Sequence, residues 1–279
     1  MCPHCMAFVG YPNVDAARTT RERDALDKNF DSAVSDCKSR GCEAQMMAFE
    51  CAVRDNSKAV ISKPLYEVVR LASSEKQLAV PYSRQIQGGL RLPDGDDWDV
   101  FRRVAGVALF CGYEDQIHFG LLSLDERGSS YYGDMHLVLR TERISDRAST
   151  FVENSGAYVT RLQVTELTRL PPGLRADWAA RGKLAAAKIY RQIDQHTKPN
   201  DHARLLMQPG ATGWDDDFIE VHIYGTISIG TVEKVVCERA RTRAVSNRQQ
   251  RQGAALSAEL AALKERLGRL QVSFVEVWA

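Results

Sequence analysis

A carboxylate stands in the middle of an apolar, β-prone stretch, Asp215-Asp216-Asp217-Phe218-Ile219-Glu220-Val221-His222-Ile223-Tyr224-Gly225. Read at a period of two, Ile219, Val221 and Ile223 point to one face of a strand, and Phe218, Glu220, His222 and Tyr224 to the other. An unpaired charge in a dry core is expensive, so such a glutamate either opens onto a solvated cleft or meets a fixed partner. Its aromatic neighbours favour a cleft that holds something flat; an edge strand with one wet face is the plain alternative. Other strand-like segments carry isolated polar residues: Arg84-Gln85, Tyr132 and Arg140, and Ser149-Thr150. That set suits cleavage of a dinucleotide's glycosidic bond. An arginine grips the pyrophosphate through charge-assisted hydrogen bonds. A strand hydroxyl braces the cleft, and the glutamate stabilises the oxocarbenium-like charge as the base leaves.

Several other chemistries find no footing. The sequence has no GxxxxGK[ST] phosphate loop, no GxGxxG, no GxSxG and no HExxH. None of the six histidines has the spacing of a helical zinc protease, and His136 and His222, each mid-strand among apolar residues, read by default as satisfied core histidines. With 37 Lys+Arg against 36 Asp+Glu, the net charge of +1 argues against a dedicated nucleic-acid binder. No apolar run is long enough to cross a bilayer. The start, Met1-Cys2-Pro3-His4-Cys5, lacks the basic-then-apolar layout of a signal peptide. Seven cysteines, an odd number, suit a reducing compartment. Cys2 and Cys5 with Cys37 and Cys42 superficially resemble a zinc site, but a ligand at a chain end and another late in a helix make free thiols the expectation, with no metal.

The elements that must position these residues follow from periodicity. Residues 14–53 read as helix, interrupted at Gly41, and a third helix starts near Pro64. Residues 79–86 look like a strand, and Asp96-Asp97-Trp98 opens a helix reaching Phe110. Strands are expected over 116–124 and 131–140, with another extended segment from Arg147 to about Asn154. A long helix is expected over 174–196, then the Glu220 strand, then a helix or turn through Val232, Val235 and Val236. Leu256, Leu260, Leu263, Leu267 and Leu270 mark a long amphipathic helix, and residues 271–278 a final strand.

Four blocks, taken in order, carry a resemblance: residues 116–124, residues 128–140, Arg147-Ala-Ser-Thr-Phe-Val-Glu-Asn-Ser155 and Asp217-Phe-Ile-Glu-Val-His-Ile-Tyr-Gly225, with Tyr82-Ser-Arg-Gln85 upstream. Together they resemble the bacterial effector ADP-ribosyltransferases of the CteC type, which modify ubiquitin on a threonine, over roughly residues 82–236. The resemblance implies an α+β fold: an ADP-ribosyltransferase-like split β-sheet core over 79–279 with a long C-terminal helix, and a helical N-terminal lobe over 1–78. It makes Glu220 the catalytic glutamate and NAD the substrate. Arg84, Gln85, Tyr132, Ser149, Thr150 and Phe151 become the NAD-binding residues. The partner implied is ubiquitin or another host protein, with neither membrane nor nucleic acid, and a chain made in the bacterial cytoplasm and delivered into a host cytosol. Two departures stand out: the family's glutamine two residues after the glutamate is His222 here, and its Gly-Asp-Ser is Glu153-Asn154-Ser155. A neutral imidazole beside Glu220 can take the proton of an incoming hydroxyl, so His222 joins the catalytic set and the acceptor is expected to be a hydroxyl. A non-catalytic module binding a host protein, and a transferase acting on nucleic acid, are the alternatives.

Overall fold

A computed structural model describes residues 10–89, 97–110, 112–162, 170–211, 215–239 and 247–278. In chain order these form α1 (Pro12–Ala17), α2 (Thr20–Ser39), α3 (Glu43–Asn56), β1 (Lys58–Lys63), α4 (Leu65–Leu71), α5 (Tyr82–Gln87) and α6 (Asp97–Phe110). There follow β2 (Ile117–Ser123), β3 (Met135–Leu139), β4 (Ala148–Phe151), α7 (Ser155–Leu162), β5 (Arg175–Asp177), α8 (Arg181–Ile189) and α9 (His202–Leu206). The chain closes with β6 (Glu220–Tyr224), β7 (Val232–Arg239), α10 (Asn247–Arg269) and β8 (Ser273–Trp278). The class is mixed α+β, and no helix among the described residues is long and apolar enough to cross a membrane.

Two compact units partition the chain. The first comprises residues 1–59, 80–125 and 141–225; the second comprises residues 60–79, 126–140 and 226–279. In the first, four antiparallel strands run in the order β5-β4-β6-β2. In the second, β1, β3 and β7 are antiparallel neighbours and β8 adds to β7 in parallel.

In the first unit α2 starts at Thr19, whose side chain accepts the Glu22 N–H, and buries Leu26, Ala33 and Cys37 on one stripe. Gly41, at φ +71°, turns the chain into α3, as its interruption of the helical pattern implies. Helix α8 packs on α2 and α3 so closely that a Cβ at Gly182 would sit 2.7 Å from the Glu50 carbonyl oxygen. The buried Arg181 beside it donates to Ser57 Oγ at 2.9 Å, to the Trp178 carbonyl at 2.6 Å and to the Arg54 carbonyl. Its acceptors are fixed, although burial drags its pKa down to about 10.

Helix α1 is short, yet it ties the sheet together from one side. The Nδ2 of buried Asn13 lies 3.1 Å from the Arg147 carbonyl, 3.0 Å from the His222 carbonyl and 3.1 Å from Ser149 Oγ. One amide thereby joins the start of β4 to the middle of β6. A second cluster, formed by Ala105, Leu109 and Phe110 of α6 with Ile117, Phe151, Tyr158 and Val159, holds α6 and α7 together.

The expected helices over 14–53 and up to Phe110 are present, α10 fills the described part of the helix expected over about 242–270, and the strands β2, β4, β6 and β8 are present. Four expectations change. Residues 79–86 do not form a strand: Pro81 supplies the carbonyl that accepts the Gln85 N–H, and 82–87 close into α5. The long helix over 174–196 is instead β5, which pairs Ser149 with Asp177, followed by the shorter α8 and a 3₁₀ turn at Tyr190–Gln192. Residues 232–236, expected as helix or turn, belong to β7, which is paired on both edges. Tyr132 falls in a 3₁₀ turn before β3, which starts only at Met135.

Asn13→Ala is expected to lower stability by about 2 kcal/mol, because two buried carbonyls lose their donor. Urea unfolding measures it, and a loss below roughly 0.5 kcal/mol would mean that α1 does not brace the strands.

Candidate functional site

Strand β6 is the middle of the site. Its neighbours pair Glu220 with Phe151 on one side and Leu121 on the other, and His222 with Ser149 and Phe119. All six side chains therefore share a face. Glu220 is 1% exposed and His222 3%. The strand thus buries its carboxylate rather than opening it to a solvated cleft, and each oxygen has partners. Arg102 of α6 donates from Nη1 to Oε1 at 2.9 Å, with both side chains largely buried. His222 Nε2 lies 2.9 Å from Oε2, and the Ser155 N–H donates to the same oxygen at 3.1 Å.

Each partner is itself held in place. Arg102 continues the buried stripe of α6, three residues before Ala105 and seven before Leu109, and its guanidinium carbon lies 4.2 Å from the centre of the Phe119 ring. Ser155 is the first residue of α7, so the carboxylate sits at the positive end of that helix. Asn154 caps the same turn, its Oδ1 accepting from the Gly156 N–H at 3.0 Å. His222 is walled by three phenylalanines. Phe110 and Phe119 meet it edge-on at centroid distances of 4.8 and 5.4 Å, and Phe151 lies near-parallel at 6.1 Å.

Burial by itself would raise the Glu220 pKa, but the His222 hydrogen bond, the Arg102 charge and the Ser155 N–H outweigh it and hold the carboxyl at about 2. Burial lowers the pKa of His222, more than Glu220 raises it, and the charges of Arg175 and Arg102 act in the same downward direction. At neutral pH the pair is a carboxylate and a neutral imidazole. The Nε2 proton is then the one donated to Glu220, which leaves Nδ1 as the basic nitrogen. Arg175, itself largely buried with its pKa lowered by burial, adds positive charge nearby. An ionised carboxylate, a neutral base and a guanidinium thus meet in aromatic surroundings. Such a group can stabilise developing positive charge and accept one proton.

The residues singled out from sequence separate. Ser149 and Phe151 share the face of Glu220 and His222, with Ser149 Oγ 3.1 Å from Asn13 Nδ2. Thr150 points to the opposite face and donates to the Ala176 carbonyl at 3.3 Å. Arg84 lies on α5 rather than a strand, about half exposed, where Nε and Nη2 reach Asp115 Oδ2 at 3.2 and 3.1 Å. Gln85 is buried and donates to the Val80 carbonyl at 2.8 Å. Tyr132 belongs to the second unit. Arg102, Ser155, Phe110 and Phe119 at the carboxylate were not recognised. The available signal for Arg102 was a charge on the apolar stripe of a helix. Cys2 and Cys5 lie outside the described residues; Cys37 and Cys42 are buried, and among the described residues no three His, Cys, Asp or Glu side chains gather as a metal site.

A scan against protein-family models finds no match for the chain, and a search of curated proteins finds none either.

Because Glu220 is more acidic folded than unfolded, its contribution to stability is full above the ordinary carboxyl value of 4.5 and drains away as pH falls towards 2. The stability gap between wild type and Glu220→Gln is expected to be on the order of 3 kcal/mol above about pH 5 and to close by about pH 2. Chemical denaturation across that range tests it; a gap independent of pH would mean that the carboxylate is not held ionised by its partners.

Proposed function

We propose that the chain is an NAD-dependent mono-ADP-ribosyltransferase that modifies a protein hydroxyl, with a threonine of ubiquitin as the acceptor its resemblance favours. The observation that carries this reading is the 2.9 Å contact between an ionised Glu220 and a neutral His222 on one strand face. Glu220 supplies the negative charge that an oxocarbenium-like ribose needs as the bond to nicotinamide breaks. His222 Nδ1 is the base for the incoming hydroxyl, whose proton it takes as the new C–O bond forms. The phenylalanines around His222 supply flat apolar walls suited to nicotinamide. Ser149 and Phe151 are the binding-strand residues that share this face.

Arg102 changes the assignment of the arginine. Arg84 is engaged by Asp115, whereas Arg102 lies on the carboxylate. In this reading Arg102 exchanges partners: it leaves Glu220 for the pyrophosphate of NAD, which frees Oε1 for the ribose. The α+β class is compatible with a transferase core. The near-balance of charge in the chain makes nucleic acid the less favoured acceptor.

A second reading has an observation of its own. The same burial of Glu220, Arg102 and His222 suits a strut that bolts α6 and α7 to the sheet, in which case the chain is a non-catalytic partner-binding module. Turnover separates the two.

Intact-mass measurement of ubiquitin incubated with this protein and NAD is expected to show addition of one ADP-ribose, mapping to a threonine. Glu220→Gln, with its fold verified by circular dichroism, is expected to lower the rate on the order of 10²-fold or more. His222→Ala is expected to lose transfer to protein while keeping slow NAD hydrolysis. Adduct on an arginine would overturn the role of His222, and a folded Glu220→Gln protein of undiminished rate would remove Glu220 from the chemistry.

A further inference from the structure

The second unit holds another relay of polar side chains, unrelated to Glu220. Ser62 on β1 pairs in register with His136 on β3, and His136 pairs with Val236 on β7, two residues from Glu238. The three side chains therefore project from one face of adjacent strands. Ser62 Oγ lies 3.0 Å from His136 Nδ1, and His136 Nε2 lies 3.3 Å from Glu238 Oε2. Burial lowers the pKa of His136 despite the opposing pull of Glu238, so the ring is neutral at pH 7. One tautomer satisfies both contacts: the Nε2 proton goes to Glu238, and Nδ1 accepts from the Ser62 hydroxyl.

We propose that Ser62, His136 and Glu238 form a nucleophile–base–carboxylate relay that hydrolyses small acyl esters. The order of roles is that of any serine acyl transferase: a hydroxyl, a base within hydrogen-bond reach, and a third group that fixes the base's tautomer. Ser62 Oγ attacks the acyl carbon and its proton passes to His136 Nδ1. The C–O bond to the alcohol breaks, and the alcohol departs with that proton. A water then gives its proton to Nδ1 and its oxygen to the acyl carbon; the acid leaves, and the proton returns to Ser62. Ser62 and His136 are the catalytic residues, and Glu238 is a positioning residue.

Exposure and packing define the substrate. His136 is fully buried, whereas Ser62 is only partly so, which makes the nucleophile the end a substrate can reach. Gly128 lies against the pair: a Cβ there would fall on Ser62 Oγ, 3.0 Å from His136 Nδ1 and 3.3 Å from Val60 Cγ1. Backbone that close leaves no room for a side chain at 128 and crowds the hydroxyl, so a short acyl group meets less obstruction there than a long one.

The test uses the full chain with an alkyl fluorophosphonate probe, and p-nitrophenyl acetate beside p-nitrophenyl octanoate. The expected result is a single adduct that peptide mapping places on Ser62. Acetate should be hydrolysed at least on the order of tenfold faster than octanoate, and both adduct and turnover should be lost in Ser62→Ala. Glu238→Gln should slow labelling with its melting temperature retained, and Glu238→Asp should restore part of the rate, which a merely structural carboxylate would not do. Wild-type protein that is folded yet unlabelled would overturn the proposal, as would an adduct that persists in Ser62→Ala. Octanoate turned over as fast as acetate would overturn the small-acyl assignment.

Discussion

A guanidinium and a carboxylate facing each other at 2.9 Å in a nearly dry interior set the terms for the first unit. Desolvating two such charges is unfavourable by several kcal/mol per ion, and their attraction offsets this only when the remaining hydrogen-bonding capacity is used. Here it is used. The second carboxylate oxygen takes the His222 imidazole and the first N–H of α7, while the guanidinium lies on Phe119. Helix α6 is tied to β6 through Arg102, and the start of α7 to the same residue through Ser155. Removing either charge would strand the other, so the position of two helices rests on one pair.

That pair also defines what the site must do to work. If the chain transfers ADP-ribose as proposed, Arg102, which holds Oε1, would have to trade one anion for another to free that oxygen for the ribose. A pyrophosphate is the natural competitor, because it presents two charges and bidentate oxygens to a planar fork. Part of the substrate's binding energy would go into breaking the ion pair, which weakens ground-state binding and leaves the freed carboxylate to act where positive charge develops. Asn13, bonded to the carbonyls of Arg147 and His222, braces β4 against β6 beside the pair.

Much of this frame was legible in the sequence. Alternation exposed β6 and β8, β2 and β4 read as short extended segments, and the leucine spacing of α10 was unambiguous. Glu220 and His222 stood out because polar residues break an apolar period, and the two prospects for such a glutamate, cleft or fixed partner, were both visible. The partner itself was not. Arg102 and Glu220 are 118 residues apart, and nothing local in either segment encodes their meeting. Arg84 drew attention instead because residues 79–86 look like a strand and Tyr82-Ser-Arg-Gln85 belongs to the blocks that carry the resemblance. Pro81 decides otherwise, since its fixed φ and free carbonyl start a helical turn. The length expected of α8 failed for a different reason. Leu174 and Trp178 are apolar at helical spacing, but β4 has an edge to fill, and tertiary pairing at 175–177 overrides that spacing.

The account depends on Glu220 acting on a glycosidic bond rather than only bolting helices to a sheet. Release of nicotinamide from NAD by the purified chain, followed by chromatography in the presence and absence of ubiquitin, addresses this most directly. The account predicts nicotinamide well in excess of the protein present, faster with ubiquitin, and dependent on the Glu220 carboxylate. Folded protein that releases none under either condition would contradict it and leave the Glu220–Arg102 pair a structural strut.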